Sequence, residues 1–343
     1  MTRRPHLDWL RGIAVLIMIE AHTIDSWTRA ADRTSSAYQW STVIAGFGAP
    51  AFLFLAGIAL LLAAAGRSRR GLTAGEVTRS AFRRGLWIFV LAFLFRLQSV
   101  LISGASLQSL LKVDILNIMG ISMMAGAVGL AITPTFSRRV FLFVVLTVAV
   151  AMCTPLIRAT PLLDGLPDAV EAYLRPRPGR TNFTLFPWAA FFTAGCAVGA
   201  WLDRSDGRRL HVWLAALGVS LVLGGYAASF LPPIYPRVSF WTSSPTFFFL
   251  RLGILVLAVP VAYAFTHVWR GTALQEFGKA SLFVYWIHVE LVYGVPSLTI
   301  HRALPFPVTL VAFIAFALAM FGLVRAKNRF QQGRSTETLR KSI

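Results

Sequence analysis

Long apolar segments recur along the whole chain, separated by short polar or basic stretches. A helix that crosses a bilayer needs about 20 mostly apolar residues. The pattern therefore predicts an all-α, polytopic membrane bundle of about ten transmembrane helices. The predicted spans are residues 7–27, 42–65, 85–103, 113–133, 140–157, 186–202, 210–230, 247–266, 280–300 and 304–324.

Two features depart from simple spans. Pro50 lies in the glycine-containing stretch GFGAPAFLFLAG of the second span, which predicts a kink or a close helix contact there. The longest predicted outer loop, residues 158–185, carries a short amphipathic piece at 166–174. This loop caps a cavity from outside or is an ordinary interfacial connector.

The distribution of positive charge predicts the topology. Ten spans place both termini and every second loop on one side, which then holds 21 of the 33 Lys and Arg residues, with nine on the other side. Cytoplasmic loops are enriched in Lys and Arg, so both termini are predicted to be cytoplasmic. We expect residues 1–325 to form one transmembrane domain and 326–343 a basic cytoplasmic tail.

Composition agrees with a membrane location and argues against other classes. The chain of 343 residues is 56% hydrophobic and 14% charged, with a mean hydropathy of +0.66, so a soluble domain is not expected. The net charge of +19 would ordinarily suggest nucleic acid, but the apolar content favours membrane lipids as the partner and no nucleic acid. The basic, apolar N-terminus resembles a signal peptide, but polar residues interrupt it, so we predict a retained first helix.

Ionisable residues inside spans are costly and usually mark function. In the first span, Asp8, Arg11, His22 and Asp25 fall within a stripe about 100° wide at 100° per residue, with Arg11 and His22 about 16 Å apart along the axis. Glu20 falls on the opposite face. The stripe predicts a polar path through much of the membrane.

His22 is the candidate catalytic group of this stripe. A histidine exchanges a proton near neutral pH, and a carboxylate at i+3, here Asp25, is placed to orient it for general base catalysis. The alternative is a buried polar network in which His22 and the two aspartates balance Arg11.

Further polar residues lie in other spans, each with two interpretations. His288, in the ninth span, is a functional group or a histidine hydrogen-bonded between helices. Asp114 and Asn117 bind a polar substrate or cap the fourth span. Arg96 and Arg251 bind an anion or pair with carboxylates. Cys153 and Cys196 are predicted to be small buried hydrophobes, and no metal site is predicted.

A basic loop follows the second span. RSRRGLTAGEVTRSAFRRG carries six arginines against one carboxylate, Glu76. The loop reflects the positive-inside rule and contacts with lipid headgroups, or it is a docking surface for a polyanionic cofactor.

The stretch LDWLRGIAVLIMIEAHTIDSW, with Arg11 and His22 separated by ten residues, resembles the multi-pass membrane acyltransferases. These include bacterial O-acetyltransferases and heparan-alpha-glucosaminide N-acetyltransferase. FGAPAFLFLAG, KVDILNIMGIS, FPWAAFFTAG, SFWTSSPTFFFLRLG and FGKASLFVYWIH are similar to the same superfamily.

The resemblance implies transfer of an acetyl group from cytoplasmic acetyl-CoA to a hydroxyl or amine of a sugar-like acceptor on the far side. It implies that His22 is the catalytic histidine and Arg11 its motif partner. The heparan-type branch carries Asn at the position of His22, whereas the bacterial O-acetyltransferase pattern has the histidine there, so N- and O-acetylation both stay open.

The expected site has three parts, of which the catalytic part comprises His22, Arg11 and Asp25. Arg83, Arg84 and Lys279 are the expected contacts of the CoA phosphates. Asp114, Asn117, Arg251 and His288 are the expected substrate-binding residues. The implied location is the bacterial inner membrane.

Two other functions compete with the acyltransferase. A transporter or flippase would use the same charged stripe as a proton or substrate pathway without covalent chemistry. A non-catalytic scaffold or sensor is the third alternative, but it leaves the alignment of Arg11, His22 and Asp25 without a purpose.

Overall fold

The computed structural model of the chain is built from α-helices. It describes residues 4–104, 106–205, 207–268 and 271–341, with the backbone alone at 103 and 333–341. Within these ranges there is no β-strand, and two isolated bridges, Thr28 with Leu304 and Val113 with Thr181, tie loops together. The all-α, polytopic class predicted from the hydrophobic pattern is confirmed.

The helices of the described residues overlap the predicted apolar segments, but the helix of the third predicted span begins at Ala74, eleven residues early, and that of the last continues to Lys341 through the predicted tail. They are α1 Pro5–Trp27, α2 Ser36–Ala45, α3 Gly48–Ser68, α4 Ala74–Ser103, α5 Ile115–Ile132, α6 Phe136–Ala159, α7 Asp168–Leu174, α8 Leu185–Arg204, α9 Arg208–Ala228, α10 Pro245–Val268, α11 Ala273–Lys279, α12 Ser281–Tyr293 and α13 Phe306–Lys341.

Eight helical segments in the described ranges are long and apolar enough to cross a membrane. The other two predicted spans correspond to α1 and α12. α1 has 23 residues but carries four charged side chains, and α12 has only 13 residues. These two helices hold His22 and His288, so the polar chemistry lies in the least typical spans. The full count of ten and the cytoplasmic termini stay predictions.

Two predicted spans have different bounds from the observed helices, and the differences lie at glycine and proline residues. The second span is broken at Gly46–Phe47, and Pro50 lies in the first turn of α3, where its missing N–H costs nothing. The ninth span, predicted to reach residue 300, ends at Tyr293. Gly294 and Pro296 follow, and a proline restricts the residue before it and cannot donate to a continuing helix.

The chain divides into two compact units. The central unit comprises Ala49–His267, and the terminal unit comprises Arg4–Gly48 together with Val268–Ile343. In the central unit, α4 packs along α5, and α6 packs along α8. Gly57 of α3 and Gly195 of α8 allow these helices to touch, because a Cβ at either glycine would lie within 2.1 Å of a backbone oxygen.

The loop between α6 and α8, in the central unit, is held by ion pairs. The predicted amphipathic piece forms α7. The buried carboxylate of Glu171 accepts a hydrogen bond from Arg175 and pairs with Arg177 at 3.2 Å. The hydrogen bond from Arg175 to Asp164, with that to Glu171, raises the pKa of Arg175. The loop is therefore ordered by its own charges.

The terminal unit is organised by the crossing of α1 and α11. A Cβ at Gly12 would lie 2.1 Å from the carbonyl oxygen of Leu274, and one at Gly278 would lie 2.0 Å from that of Asp8. Glycine at both positions lets the two backbones touch. The crossing fixes the first half of α1 against the residue that precedes Lys279.

The far end of α1 is joined to the turn that precedes α13, also within the terminal unit. Backbone hydrogen bonds connect Arg29 and Trp27 with Leu304 at 2.9 and 3.0 Å. The carboxylate of Asp32 accepts a 2.7 Å hydrogen bond from the N–H of Phe306, which, with the bond from Arg29, lowers the pKa of Asp32. Both ends of α1, the helix that carries His22, are therefore held by contacts with the later part of the terminal unit.

Candidate active site

The charged stripe predicted on the first span lies on one uninterrupted helix, α1. Arg11 donates a 3.1 Å hydrogen bond to the buried carboxylate of Asp8 near the start of that helix. His22 lies eleven residues further on, which corresponds to about 16 Å at 1.5 Å per residue. Arg11 is thus balanced by Asp8 within the same stripe.

His22 forms a pair with His288. The Nδ1 atom of His22 lies 2.7 Å from Nε2 of His288, and the two ring planes differ by only 9°. His22 is half-buried, whereas His288 is 0% exposed. The two residues are 266 positions apart in the chain, and both belong to the terminal unit.

A backbone carbonyl sets the protonation pattern of the pair. Nδ1 of His288 lies 2.8 Å from the carbonyl oxygen of Val284, which can only accept a hydrogen bond. A neutral His288 therefore carries its proton on Nδ1, and its Nε2 accepts from Nδ1–H of His22. The lone pair of a neutral His22 is consequently on Nε2, the atom suited to take a proton or attack a carbonyl.

The carboxylate of Asp25 lies at an exposed rim beside this pair. It accepts a 3.0 Å hydrogen bond from the hydroxyl of Tyr293 and lies 3.6 Å from the guanidinium of Arg33. The ring of Tyr293 meets that of His22 edge-on at 5.6 Å between centroids. Asp25, 58% exposed, thus contacts a neighbour of His22, and its predicted role in orienting His22 stays a prediction.

Two members of this arrangement were missed as partners in the sequence. His288 was predicted as a substrate-binding residue or as a histidine hydrogen-bonded between helices. Its contact with His22 of α1 is of the second kind, but His22 was not named as the partner, and Tyr293 was not singled out. The ninth span did contain the signal, because both residues stand in the apolar stretch FVYWIHVELVYG.

Glu20 lies on the face of α1 opposite His22, as predicted. Its side chain is buried, at 9% exposure, and its Oε2 atom has no hydrogen-bond partner among the residues that the structure describes. It takes no part in the histidine pair.

Asp114 and Asn117 cap the N-terminus of α5, which was one of the two roles predicted for them. The Asp114 side chain accepts from the start of α5, and Asn117 Oδ1 accepts a 3.0 Å bond from the N–H of Asp114. Arg96 pairs with Asp114 at 2.9 Å. The amide of Asn117 lies 3.3 Å from Tyr173 Oη, and burial raises the pKa of Tyr173. This cluster lies in the central unit, and its role in substrate binding stays a prediction.

The remaining predicted site residues have different surroundings. Arg251 stacks over the Phe247 ring at 4.3 Å in the central unit. Arg83 and Arg84 are exposed on α4. Lys279 ends α11 and lines a cavity of about 790 Å³ in the terminal unit.

Metal ligands are not grouped in the described part of the chain, where no three His, Cys, Asp or Glu side chains come together. Cys196 is buried and Cys153 half-buried, and neither forms a disulfide.

The fold and the site define an integral, multi-pass membrane protein with a histidine pair on helices α1 and α12. A family model described as heparan-alpha-glucosaminide N-acetyltransferase, catalytic, matches residues 3–230, about two thirds of the chain. The chain belongs to this family of membrane acetyltransferases. A comparison with curated protein sequences finds no significant match. His22 lies inside the matched range and His288 beyond it.

Proposed function

We propose that this acetyltransferase transfers the acetyl group of cytoplasmic acetyl-CoA to a hydroxyl or amine of a sugar-containing or small-molecule acceptor across the bacterial inner membrane. The hydrogen bond between His22 and His288 is the observation that carries the proposal. It gives His22 a defined ring orientation and a defined basic nitrogen. General base and nucleophilic catalysis both require these properties.

In direct transfer, Nε2 of His22 removes the proton from the acceptor hydroxyl or amine as that group attacks the thioester carbonyl. The new C–O or C–N bond forms, the C–S bond breaks, and the proton on Nε2 passes to the departing thiolate. His288 accepts from Nδ1–H throughout and stabilises the imidazolium that forms on His22.

In the carrier route, Nε2 of His22 itself attacks the thioester carbonyl. A C–N bond to the acetyl group forms, the C–S bond breaks, and CoA leaves as the thiolate. The acceptor then attacks the acetyl group and the bond to Nε2 breaks. The acceptor's proton passes to solvent, and the departed thiolate takes a proton from solvent. The same side chains serve both routes, and both leave the chain unchanged at the end.

The rim beside the histidine pair suits an acceptor that carries hydroxyl groups. Asp25 offers carboxylate oxygens to a hydroxyl, Tyr293 offers a ring edge and a hydroxyl, and Arg33 offers donors. In the proposal, Asp25 lies at the acceptor side of His22. Asp114, Asn117 and Arg251 are proposed as substrate-binding residues.

The donor requires cationic contacts for its phosphates. Arg83 and Arg84 are exposed cations on α4, and Lys279 lines the cavity of the terminal unit. Arginine and lysine bind phosphate groups strongly. We propose these three residues as donor contacts on the cytoplasmic side, with Arg11 at the start of the path toward His22.

Thioester chemistry tests this function directly. Purified protein in detergent is expected to bind acetyl-CoA saturably, to release free CoA slowly by hydrolysis, and to release it faster when amino sugars or neutral sugars are added. A thiol-reactive dye measures the release, and an Arg83→Gln/Arg84→Gln variant should raise the KM for acetyl-CoA. If a folded, monodisperse preparation binds none at millimolar concentration, the proposal is wrong and transport is the function to assay.

Removal of the partner histidine should affect turnover more than binding. His288→Leu leaves the Nδ1–H of His22 without its acceptor, and misplacement of a catalytic group by about 1 Å costs roughly 100-fold in rate. We expect kcat to fall by that order, with the KM for acetyl-CoA nearly unchanged.

A conservative substitution of His288 distinguishes its role in positioning His22 from a role in packing alone. His288→Gln retains a side-chain oxygen that can accept from His22, so it should recover part of the lost kcat relative to His288→Leu. Steady-state kinetics across pH 5–9 measure both variants. Equal losses in the two variants, or a loss confined to KM, would contradict the positioning role of His288.

A further inference from the structure

The cavity beside Lys279 lies between α11 and the polar end of α13. Seven residues line it, and its volume is about 790 Å³, within the range of small-molecule sites. The lining residues are Glu276, Lys279, Arg325, Asn328, Arg329, Gln331 and Gln332. They belong to the terminal unit, beyond the range matched by the family model.

The helix α13 presents a continuous polar face to this cavity. Arg325, Asn328, Arg329 and Gln332 follow at spacings of three and four residues, so they share one side of the helix. Three cations and one carboxylate line the cavity. Its lining is therefore net positive and rich in amide groups.

One of the three cations is held in place by its neighbours. The guanidinium of Arg325 stacks over the Phe321 ring at 4.7 Å and lies 3.5 Å from the carboxylate of Glu276. Glu276 also accepts a 3.1 Å hydrogen bond from the hydroxyl of Thr272. Among the described residues, Lys279 and Arg329 have no carboxylate in ion-pair range, so these two charges are available to an anion in the cavity.

The cavity lies next to the Arg11 end of α1. Gly278, which precedes Lys279, contacts the backbone of Asp8 and Gly12, and a Cβ there would lie 2.9 Å from Cβ of Arg11. His22 lies about 16 Å further along the same helix. A ligand that reached from this cavity to His22 would need a charged head and a long, slender arm.

We infer that this cavity binds the phosphate-bearing nucleotide end of the acyl donor, with Lys279, Arg325 and Arg329 as the phosphate contacts. The inference rests on the proposed function. A CoA thioester has the required form, with several phosphates at one end and the reactive carbonyl at the end of a flexible arm. An anionic lipid headgroup has the same phosphate chemistry and is the other source that the experiment must separate.

The test measures donor binding by titration calorimetry with the full-length protein in nanodiscs of purely zwitterionic lipid. Lys279→Gln and Arg329→Gln should each weaken binding of CoA about 10-fold, since each loses a charge-assisted contact with phosphate. Adenosine 3′,5′-bisphosphate should compete with CoA in wild type. Arg329→Lys should retain most of the affinity.

A neighbouring cation provides the matched control. Lys327 is on the same helix but lies 4.6 Å over the Phe283 ring and does not line the cavity, so Lys327→Gln should bind CoA as wild type does. Because Lys279 and Arg329 are exposed, the variants are expected to stay folded.

The possible failures differ in meaning. Unchanged CoA affinity in Lys279→Gln and Arg329→Gln, with wild-type binding intact, overturns this inference and the assignment of Lys279 as a donor contact, and leaves acetyl transfer from acetyl-CoA standing. Failure of wild type to bind CoA or acetyl-CoA overturns the proposed function itself. If the two variants lose only co-purifying anionic phospholipid, and CoA affinity is unaffected, the cavity is a lipid-headgroup site and the inference is wrong.

Discussion

Replacement of His22 by alanine lowers acetyl transfer by about 10²- to 10⁴-fold, the range that a positioned proton-transfer group contributes. The loss should appear in kcat and in the slow hydrolysis of acetyl-CoA without acceptor, because both use Nε2 of His22. Thiol release by the purified protein measures it. Binding of CoA should change little, since the proposed phosphate contacts are elsewhere.

A folding control is needed for this variant because His22 donates to a fully buried partner. His22→Gln retains an amide N–H that can reach Nε2 of His288, so it should keep the thermal stability of the wild type and still be inactive. An active, well-folded His22→Ala or His22→Gln protein would remove His22 from the mechanism and with it the proposed use of the pair.

Alanine at Gly278 strongly destabilises the terminal unit. Its Cβ would lie 2.0 Å from the carbonyl oxygen of Asp8 and 2.8 Å from the backbone nitrogen of Gly12, and neither group can turn aside as a side chain could. Overpacking of this kind costs typically 1–3 kcal/mol and sometimes more. We expect the apparent melting temperature in detergent to fall by several degrees, with loss of donor binding as α11 moves.

Gly322 supplies the comparison within the same unit. A Cβ at Gly322, on α13, meets nothing within 4 Å, so Gly322→Ala should leave the melting temperature unchanged or raise it slightly. Gly12→Ala should resemble Gly278→Ala, because its Cβ would lie 2.1 Å from the Leu274 carbonyl oxygen. Equal stability of Gly278→Ala and Gly322→Ala would contradict the close crossing of α1 and α11.

The sequence predicted the helices well because the physical signal is local. A run of about 20 apolar residues has few alternatives to a membrane helix, and α5, α6, α8 and α10 lie close to their predicted ranges. The helical stripe of α1 was also predictable, because 100° per residue places Arg11 and His22 on one face without any tertiary information.

The remainder depended on contacts between distant parts of the chain. No periodicity relates His22 to His288, 266 residues away, so the pair could not be found by spacing. Asp25 was predicted beside His22 on helical geometry alone, whereas its recorded bonds are to Tyr293 and Arg33. The predicted end of α12 was wrong because the apolar pattern continues past Gly294 and Pro296. Glycine and proline disfavour a helical backbone, so the helix ends before them.

The terminal unit is formed by two distant segments of the chain, and this constrains how the protein folds during synthesis. Its two pieces are separated by the whole central unit, residues 49–267, so His22 leaves the ribosome 266 residues before its partner His288. Domains generally fold as units during synthesis, and α1 must wait for more than 200 residues before its polar face meets α11 and α12. Until then, its buried carboxylates and His22 face lipid or other polypeptide. While the central unit is translated, the charged face of α1 therefore lacks the contacts with α11 and α12 that cover it in the folded protein.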